Sequence, residues 1–456
     1  MKQTILVVGG LAAGPSAASK AKRVNPDAEV ILFERGEHVS YGICEVPYYI
    51  GGIVPDLENL NPFDPAKLES SRGIKVRIGH SVEQILPTKK RLIVRDLDRD
   101  KLTEFPYSKL ILATGSNTRS LEMGGKETKN TFRVKTLADG IAMKKFIEER
   151  RPKRCVIIGG GYVGMEMCEA LSANGIGVVV LHLDEHPMTG LEEQTRKAVS
   201  SELKEKGVDF KPRQRLTGFS IDTENNVRAV VTESGSYDCD FVILSIGVEP
   251  NTRLASESHV RLGRHGGILT DERQSTNIDS IYAAGDCCEV KNIVSGKWSY
   301  IPLATYASRQ GRVAGENAAG GRAVFKGAIR SIAVKIFGLE VAQVGISSME
   351  AQEAGFSFSV VHVKSDSKVH YYPGNSKIHI IAITDNKSHR ILGANVFGGI
   401  GAVLRANVLA VAIQQKMTIT EMSQLDLLYS PPFSPLWDPV LVTANQVKRR
   451  SGDSSL

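Results

Sequence analysis

The chain opens with a strand-length apolar run, TILVV at residues 4–8, that meets glycine at once. A helical stretch rich in small residues follows, and then a β-branched run, EVILF at 29–33. Residues 155–188 repeat that order as CVII, a glycine cluster, small residues at helical spacing, and GVVVL. Strand, glycine turn, helix and second strand form the βαβ unit of a dinucleotide-binding fold, and the pattern predicts it twice. Further along, runs such as KIHIIAIT and AVLRANVLAVAI predict strands and short helices in a C-terminal α+β unit.

Each glycine turn lets backbone N–H groups approach a pyrophosphate at a helix N-terminus. The second copy has the full GxGxxG as Gly159, Gly161 and Gly164; the first keeps Gly9, Gly10 and Gly14 but carries Leu11 at the middle position. A carboxylate after the second strand binds adenosine ribose in such folds, and Glu34 stands there in the first copy. Aligning the copies on Glu37-His38 and Glu185-His186 sets His182 opposite Glu34. The second site therefore lacks the acid that favours NAD, and Leu183 offers no arginine for a 2′-phosphate, so the reading leans to NADPH or dual use. Two sites need two dinucleotides, and FAD with a nicotinamide supplies a hydride acceptor and donor.

Composition narrows the class. Of 456 residues, 42% are hydrophobic and 23% charged, which excludes a disordered or fibrous chain. The formal charge of +7 is mild for this length; it is no nucleic-acid signature and suits an anionic small molecule. Six cysteines without CxxC spacing give neither a disulfide framework nor a zinc site, so no metal is expected. No run of 18 apolar residues and no secretory pattern is present, so no membrane span is expected and the cytoplasm is the expected compartment.

After Glu34 comes Ser40-Tyr-Gly-Ile-Cys44-Glu-Val-Pro-Tyr-Tyr-Ile-Gly51, with no second cysteine before Cys155. Together with LILATG (110–115), VILSIGVEPN (242–251), IYAAGD (281–286) and IPLAT (301–305), this resembles the single-cysteine branch of the pyridine nucleotide–disulfide oxidoreductases. That branch holds coenzyme A-disulfide reductases, NADH oxidases and NADH peroxidases. The resemblance covers nearly the whole chain. It implies FAD contacts at Gly9, Gly10, Leu11, Ala12, Gly14, Glu34, Arg35, Ala113, Thr114, Gly115, Asp286, Leu303, Ala304 and Thr305. For NAD(P)H it implies Gly159, Gly161, Gly164, His182 and Gly247, with Tyr162 as a lid and Glu166 near the nicotinamide. The implied fold class is α/β, two Rossmann-like domains plus a C-terminal α+β dimerisation domain. The expected division is 1–112 and 250–323 for FAD, 113–249 for NAD(P)H, 324–444 for dimerisation, and a flexible tail at 445–456.

A lone thiol cannot cycle as an internal disulfide, so Cys44 must pair with an external sulfur or form a sulfenic acid. The oxidases and peroxidases place a histidine in the first glycine loop where this chain has Ala12, which counts against oxygen or peroxide chemistry. Ser16, Lys20 and Arg23 share one face of the first helix at i, i+4 and i+7, a candidate strip for the phosphates of coenzyme A beside the alternative of a solvated face. The resemblance adds Ser40 and Ile43 to that ligand, and Arg72 brings a further charge. Tyr429, in Tyr-Ser-Pro-Pro-Phe, resembles a tyrosine that reaches the partner's cysteine in a homodimer; Tyr371-Tyr372 resembles a second such element, either residue of which could face inward. Glu45 departs from the family's small residue after the cysteine and should raise the thiol pKa. Cys287 and Cys288 read as structural. The expected activity is NAD(P)H-dependent reduction of coenzyme A disulfide through Cys44. The alternatives are polysulfide or persulfide reduction, NAD(P)H oxidation, and a flavin redox sensor with little turnover.

Overall fold

The structure, a computed structural model, describes residues 3–60, 64–121 and 128–450. The first sheet, in the order β18–β7–β1–β2–β3, is parallel throughout and joins β1 (Thr4–Val8), β2 (Glu29–Phe33), β3 (Ile74–Arg77), β7 (Lys109–Leu112) and β18 (Ile281–Ala283). An antiparallel meander of β4 (His80–Leu86), β5 (Arg91–Asp96) and β6 (Lys101–Pro106) lies on one face. On the other lie α1 (Ala13–Val24) and α8 (Ala304–Ala318). The apolar run of β1 is continuous because both faces are covered: Ile5 and Val7 pack toward the helices, Leu6 and Val8 toward the meander.

The second parallel sheet, β12–β11–β10–β16–β9, repeats this plan with β9 (Thr131–Arg133), β10 (Arg154–Ile158), β11 (Gly177–Leu181), β12 (Asp209–Lys211) and β16 (Phe241–Leu244). Helices α4 (Leu137–Arg150), α5 (Tyr162–Ala173) and α6 (Glu193–Glu205) belong to it, with a meander of β13 (Leu216–Ile221), β14 (Val227–Thr232) and β15 (Gly235–Asp238). Between the two units, β8 (Ser116–Thr118) and β17 (Val248–Pro250) form an antiparallel ribbon. Short elements complete the first unit: α2 (Val46–Ile50), α3 (Pro65–Arg72), α7 (Arg253–Glu257), and the pair β19 (Val290–Lys291) and β20 (Trp298–Ser299).

The C-terminal sheet, β21–β22–β25–β24–β23, is antiparallel, from β21 (Ser331–Ile336), β22 (Leu339–Gly345), β23 (Phe358–Asp366), β24 (Lys377–Asp385) and β25 (Ile391–Gly398). The helices α9 (Ser348–Glu353), α10 (Ala402–Gln414), α11 (Ile419–Ser423) and α12 (Pro439–Arg450) surround it. One face packs Ile378, Ile380 and Val396 against Leu409, Val440 and Ala444. The other, with Val341, Ile381 and Phe397, joins a cluster that includes Met165 and Met167 of α5 and Val46 and Ile50 of α2. Residues 445–450, expected as tail, instead continue α12, because Val440, Ala444 and Val447 recur at helical spacing and are buried. Residues 451–456 lie outside the described residues.

Carboxylates of the second unit fasten it to the C-terminal one. Glu169 pairs with Lys335 and accepts from Phe337 N at 2.8 Å, and Glu202 accepts from Gly338 N at 2.9 Å. Glu192 accepts from both the N–H and the hydroxyl of Ser348 at 2.9 Å. Among the described residues no helix is long and apolar enough to cross a membrane.

Candidate active site

The two glycine turns are built alike. Gly9 has φ +111°, and a Cβ there would stand 2.1 Å from the Ala113 carbonyl oxygen; one at Gly14 would stand 1.8 Å from that of Gly9. In the second turn Gly159 has φ +104° with a Cβ 2.2 Å from the Ser245 oxygen, and Gly164 meets Gly159 at 2.3 Å. Only glycine fits such positions. Neither helix carries a capping side chain or an acid in its first turn, so the first N–H groups are left to an anion.

At the end of β2 the two oxygens of Glu34 accept from Gly10 N and Gly36 N, both at 2.7 Å. At the end of β11 His182 Nδ1 accepts from Gly160 N at 3.2 Å, so the imidazole occupies the structural place of Glu34, as the repeat predicts. Burial lowers the His182 pKa, in keeping with a neutral ring whose Nδ1 is free to accept. No arginine neighbours His182 in sequence, but folding brings one: Arg196 of α6 lies 3.5 Å from Asp184, which is itself 4.0 Å from His182 Nε2.

The remaining expected flavin contacts surround the first turn. Arg35 is exposed, Leu11 and Ala12 are partly buried in the turn, and Leu303 starts α8, with Ala304 and Thr305 exposed in its first turn. Gly115, at φ +70°, follows Ala113 and Thr114, and the Thr114 hydroxyl donates to Asn251 O at 2.6 Å. The Asp286 carboxylate accepts from Ser116 Oγ at 3.0 Å. Lys135 Nζ donates to Ser116 Oγ at 2.7 Å and lies 3.7 Å from Asp286. The Tyr300 hydroxyl is buried without a hydrogen-bond partner among the described residues, and burial, with the Asp286 charge next, pushes its pKa up. Glycines without room for a side chain, an uncapped helix and an orphaned buried phenol fit a bound FAD.

In the second unit Gly161 has open space at its Cβ position, and Gly247, at φ +91°, accepts from Arg119 N at 3.1 Å. The Tyr162 phenol starts α5, and burial pushes its pKa up to about 12. Glu166 follows one turn later, and burial with the Glu169 charge pushes its carboxyl up to about 7.

Cys44 is exposed, whereas the other five cysteines are buried, Cys287 and Cys288 among them. It precedes α2, on the same loop as Ser40, which holds φ +56° and donates its N–H to Gly10 O at 2.8 Å. The Cys44 pKa is raised, first by desolvation, then by Glu45, Glu166 and Asp286; the Lys135 ammonium opposes them. Glu45 thus acts on the thiol in the expected direction, although that side chain folds back so far that a Cβ on Gly42 would meet its Oε2 at 2.2 Å. Sequence reasoning missed Lys135. It stands 91 positions from Cys44 in a loop without a motif, and only the fold brings the two together.

The basic strip is only partly open. Ser16 Oγ is 3.1 Å from Ser308 Oγ, Lys20 is paired with Glu316 at 2.8 Å, and Arg72 donates to Ser19 Oγ at 2.7 Å. Arg23 is exposed and has no ion pair among the described residues, and Ile43 is partly buried beside Cys44. In the C-terminal unit Tyr429 is half-exposed, in a loop that also exposes Leu428, Phe433, Leu436 and Trp437. Arg405 holds that loop through Asp438 at 2.9 Å and Phe433 O at 3.3 Å. Of the adjacent tyrosines, Lys368 lies over the Tyr372 ring and Tyr371 is 71% exposed.

Two family models cover this architecture: pyridine nucleotide-disulphide oxidoreductase over residues 3–311, and the dimerisation domain of the same family over 331–439. The chain belongs to the pyridine nucleotide-disulphide oxidoreductases. Members use FAD and NAD(P)H, and this oxidoreductase is an enzyme of the kind that acts on sulfur compounds. It is 33% identical over 449 residues to an NAD(P)H sulfur oxidoreductase (CoA-dependent) of Pyrococcus abyssi, covering 98% of this chain and 99% of that protein. It is 29% identical over 432 residues to a coenzyme A disulfide reductase of Staphylococcus haemolyticus, covering 94% and 96%. The reduced CoADR-RHD of Bacillus anthracis superposes with a TM-score of 0.95 at 30% identity, over 99% of this chain and 81% of that one.

Proposed function

We propose that this oxidoreductase reduces coenzyme A disulfide through Cys44, as part of a homodimer. The observation that carries the reading is a single exposed thiol, set among Asp286, Lys135 and Glu166. FAD, when bound, would supply the redox chemistry that links NAD(P)H to the sulfur centre. The chain's residues do the rest. The glycine turns and Glu34 hold the flavin dinucleotide, and Asp286, kept in place by Ser116 and Lys135, holds its ribityl chain. Ser16, Ser40, Ile43, Arg23 and Arg72 line the approach for an anionic thiol carrier. The Cys44 thiolate attacks the disulfide and expels one coenzyme A thiolate, and Tyr429 of the partner subunit supplies its proton. His182, in place of an acid, favours use of NADPH as well as NADH.

A second reading is supported by the coenzyme A-dependent sulfur oxidoreductase at 33% identity and by the engagement of Lys20 with Glu316. In it the same thiol takes the sulfane sulfur of a coenzyme A persulfide or a polysulfide. Side-by-side turnover of coenzyme A disulfide and polysulfide by wild type and Cys44→Ser tests both. Loss of all activity in Cys44→Ser is expected, with coenzyme A disulfide the faster substrate. Wild-type rates in that variant would sink the role of Cys44, and polysulfide turnover alone would overturn the first reading in favour of the second.

A further inference from the structure

Reduction of a disulfide by NAD(P)H needs one proton more than the donor brings. The hydride supplies two electrons and one hydrogen nucleus, two thiols are formed, and the second proton must come from water. Among the groups acting on Cys44, Glu166 is placed to carry it. Tyr162, Glu166 and Glu169 lie at i, i+4 and i+7 on one face of α5, against α2 and β21. Glu169 is fully engaged by Lys335 and Phe337 N, whereas Glu166 has neither a hydrogen bond nor an ion pair among the described residues. Glu166 lines a cavity of about 50 Å³ with Tyr48, Ile53, Glu169 and Lys335. A water needs roughly 10–15 Å³ of such space, so a short water chain fits.

Tyr48, in α2, follows Cys44 by four residues, and the Glu166 charge acts on both its phenol and the Cys44 thiol. The titratable and charged groups around Glu166 are Glu169 on its own helix, Tyr48, Cys44 and Glu45 from the α2 segment, and Lys335 from β21, the last already paired. We propose that Glu166 is the positioning residue that passes this solvent-derived proton, through the cavity and Tyr48, to the sulfur centre at Cys44. The thiolate expelled by the attack of Cys44 takes its proton from Tyr429 of the partner subunit; when the resulting mixed disulfide is reduced, the electron pair of its S–S bond goes to the second departing sulfur, which takes the proton from Glu166. Glu166 is left as carboxylate and regains a proton from water. The carboxyl, held at about 7, exists in both forms near neutrality. The proposal rests on Cys44 as the redox thiol and on no particular disulfide.

Two measurements on the holoenzyme test it. First, with coenzyme A disulfide, wild-type kcat should fall as pH rises through about 7, where Glu166 loses its proton. Glu166→Gln should lose that limb and slow the disulfide half-reaction by about 10-fold or more, Tyr48→Phe should do the same, and Glu166→Asp should regain part of the rate. A limb that survives in Glu166→Gln, or a loss confined to reduction by NAD(P)H, overturns the proposal. Second, iodoacetamide should alkylate Cys44 about two- to fivefold faster at pH 8 in Glu166→Gln, because removing the carboxylate lowers the thiol pKa. An unchanged alkylation profile overturns it as well. Alkylation needs no substrate, so a wild type that ignores coenzyme A disulfide would strike the proposed substrate and leave this second measurement decisive.

Discussion

Replacing Gly315 with alanine puts a methyl group where α8 and α1 meet backbone to backbone. The new Cβ would stand 2.0 Å from the Ala17 carbonyl oxygen, while ordinary contact begins at 3.4 Å, so the helices must part by about 1.4 Å along that line. Gly311 makes the same kind of approach to Ala13 O, at 2.3 Å, and Ala17, Ala314 and Ala318 are buried around the contact, with no rotamers to yield. Overpacking of this kind costs roughly 1–3 kcal/mol, and a gap of ~0.5–1 Å at the neighbouring contacts already forfeits a quarter to a half of their dispersion energy. Propensity alone would act the other way, because alanine is better than glycine in a helix interior by about 1 kcal/mol. The sign therefore separates packing from local preference. Helix α1 cannot move without the turn it carries, since Gly14 has no clearance from Gly9. Gly315→Ala should lower the Tm of the holoenzyme by roughly 1–3 °C. The flavin-to-protein absorbance ratio after gel filtration should drop by about half or more, and excess FAD should recover part of the Tm by mass action. A Tm equal to or above wild type with full flavin retention would refute the reasoning.

Gly161→Ala should fold with an unchanged Tm, because its Cβ meets no protein atom within 4 Å at φ −85°, yet raise the KM for NAD(P)H about 10-fold or more by filling space the pyrophosphate needs. An unchanged KM would show that the second turn is not the nicotinamide dinucleotide site. Lys135→Met removes the cation that opposes three carboxylates at Cys44, so the thiol pKa should rise and alkylation at pH 8 slow by about 3- to 10-fold, with Lys135→Arg close to wild type. Equal profiles in all three proteins would remove Lys135 from the site. Burial, with His362 and Lys364 beside it, holds the His379 pKa down at about 4. Since this lies below the ordinary His value, the folded state resists protonation. The His379 contribution is complete above about pH 6.5 and is lost as pH falls toward 4, a change of about 1–2 kcal/mol after allowance for solvent screening. His379→Asn should flatten the Tm–pH curve in that window, and a parallel curve would disprove the assignment.

The sequence carried the two nucleotide turns well because their constraint is local. A strand that must be buried on both faces, glycines that must touch backbone and an uncapped helix all lie within about 30 residues. The equivalence of Glu34 and His182 could be read from a shared Glu-His pair, and the structure reproduces it at the matching glycine N–H. Cys44 stood out for the same reason, as one thiol in a distinctive loop. What escaped was set by long-range packing. Lys135, just after β9, meets Asp286, just after β18, at Ser116 of the β8 ribbon between the two units. Lys20 looked free on its helix, but Glu316 lies across the α1–α8 contact, and no periodicity within α1 reveals a partner 296 positions away. The expected tail at 445–450 failed differently: polar residues dominate its end, yet three apolar ones at helical spacing suffice to dock it.

One plan used twice gives the two turns different grips. Glu34 fastens the first with one charge-assisted hydrogen bond, from Gly10 N at 2.7 Å, while His182 offers the second a neutral acceptor at 3.2 Å. Bonds to an ionised acceptor are about twice as strong as neutral ones, so the first turn is held the more firmly before any ligand arrives. Ser40 closes over Gly10 in a left-handed conformation, a contact that Met188 repeats over Gly160 at 2.8 Å with φ +60°, whereas α8 clamps the far side of α1 through Gly311 and Gly315. At Gly161 of the second turn the Cβ direction is open. A rigid first turn suits a group retained through every cycle, and an open second turn suits one that must leave after each hydride. The two turns, alike in themselves, thus differ in the acceptor at the end of β2 or β11 and in the backbone contact of α8 behind α1.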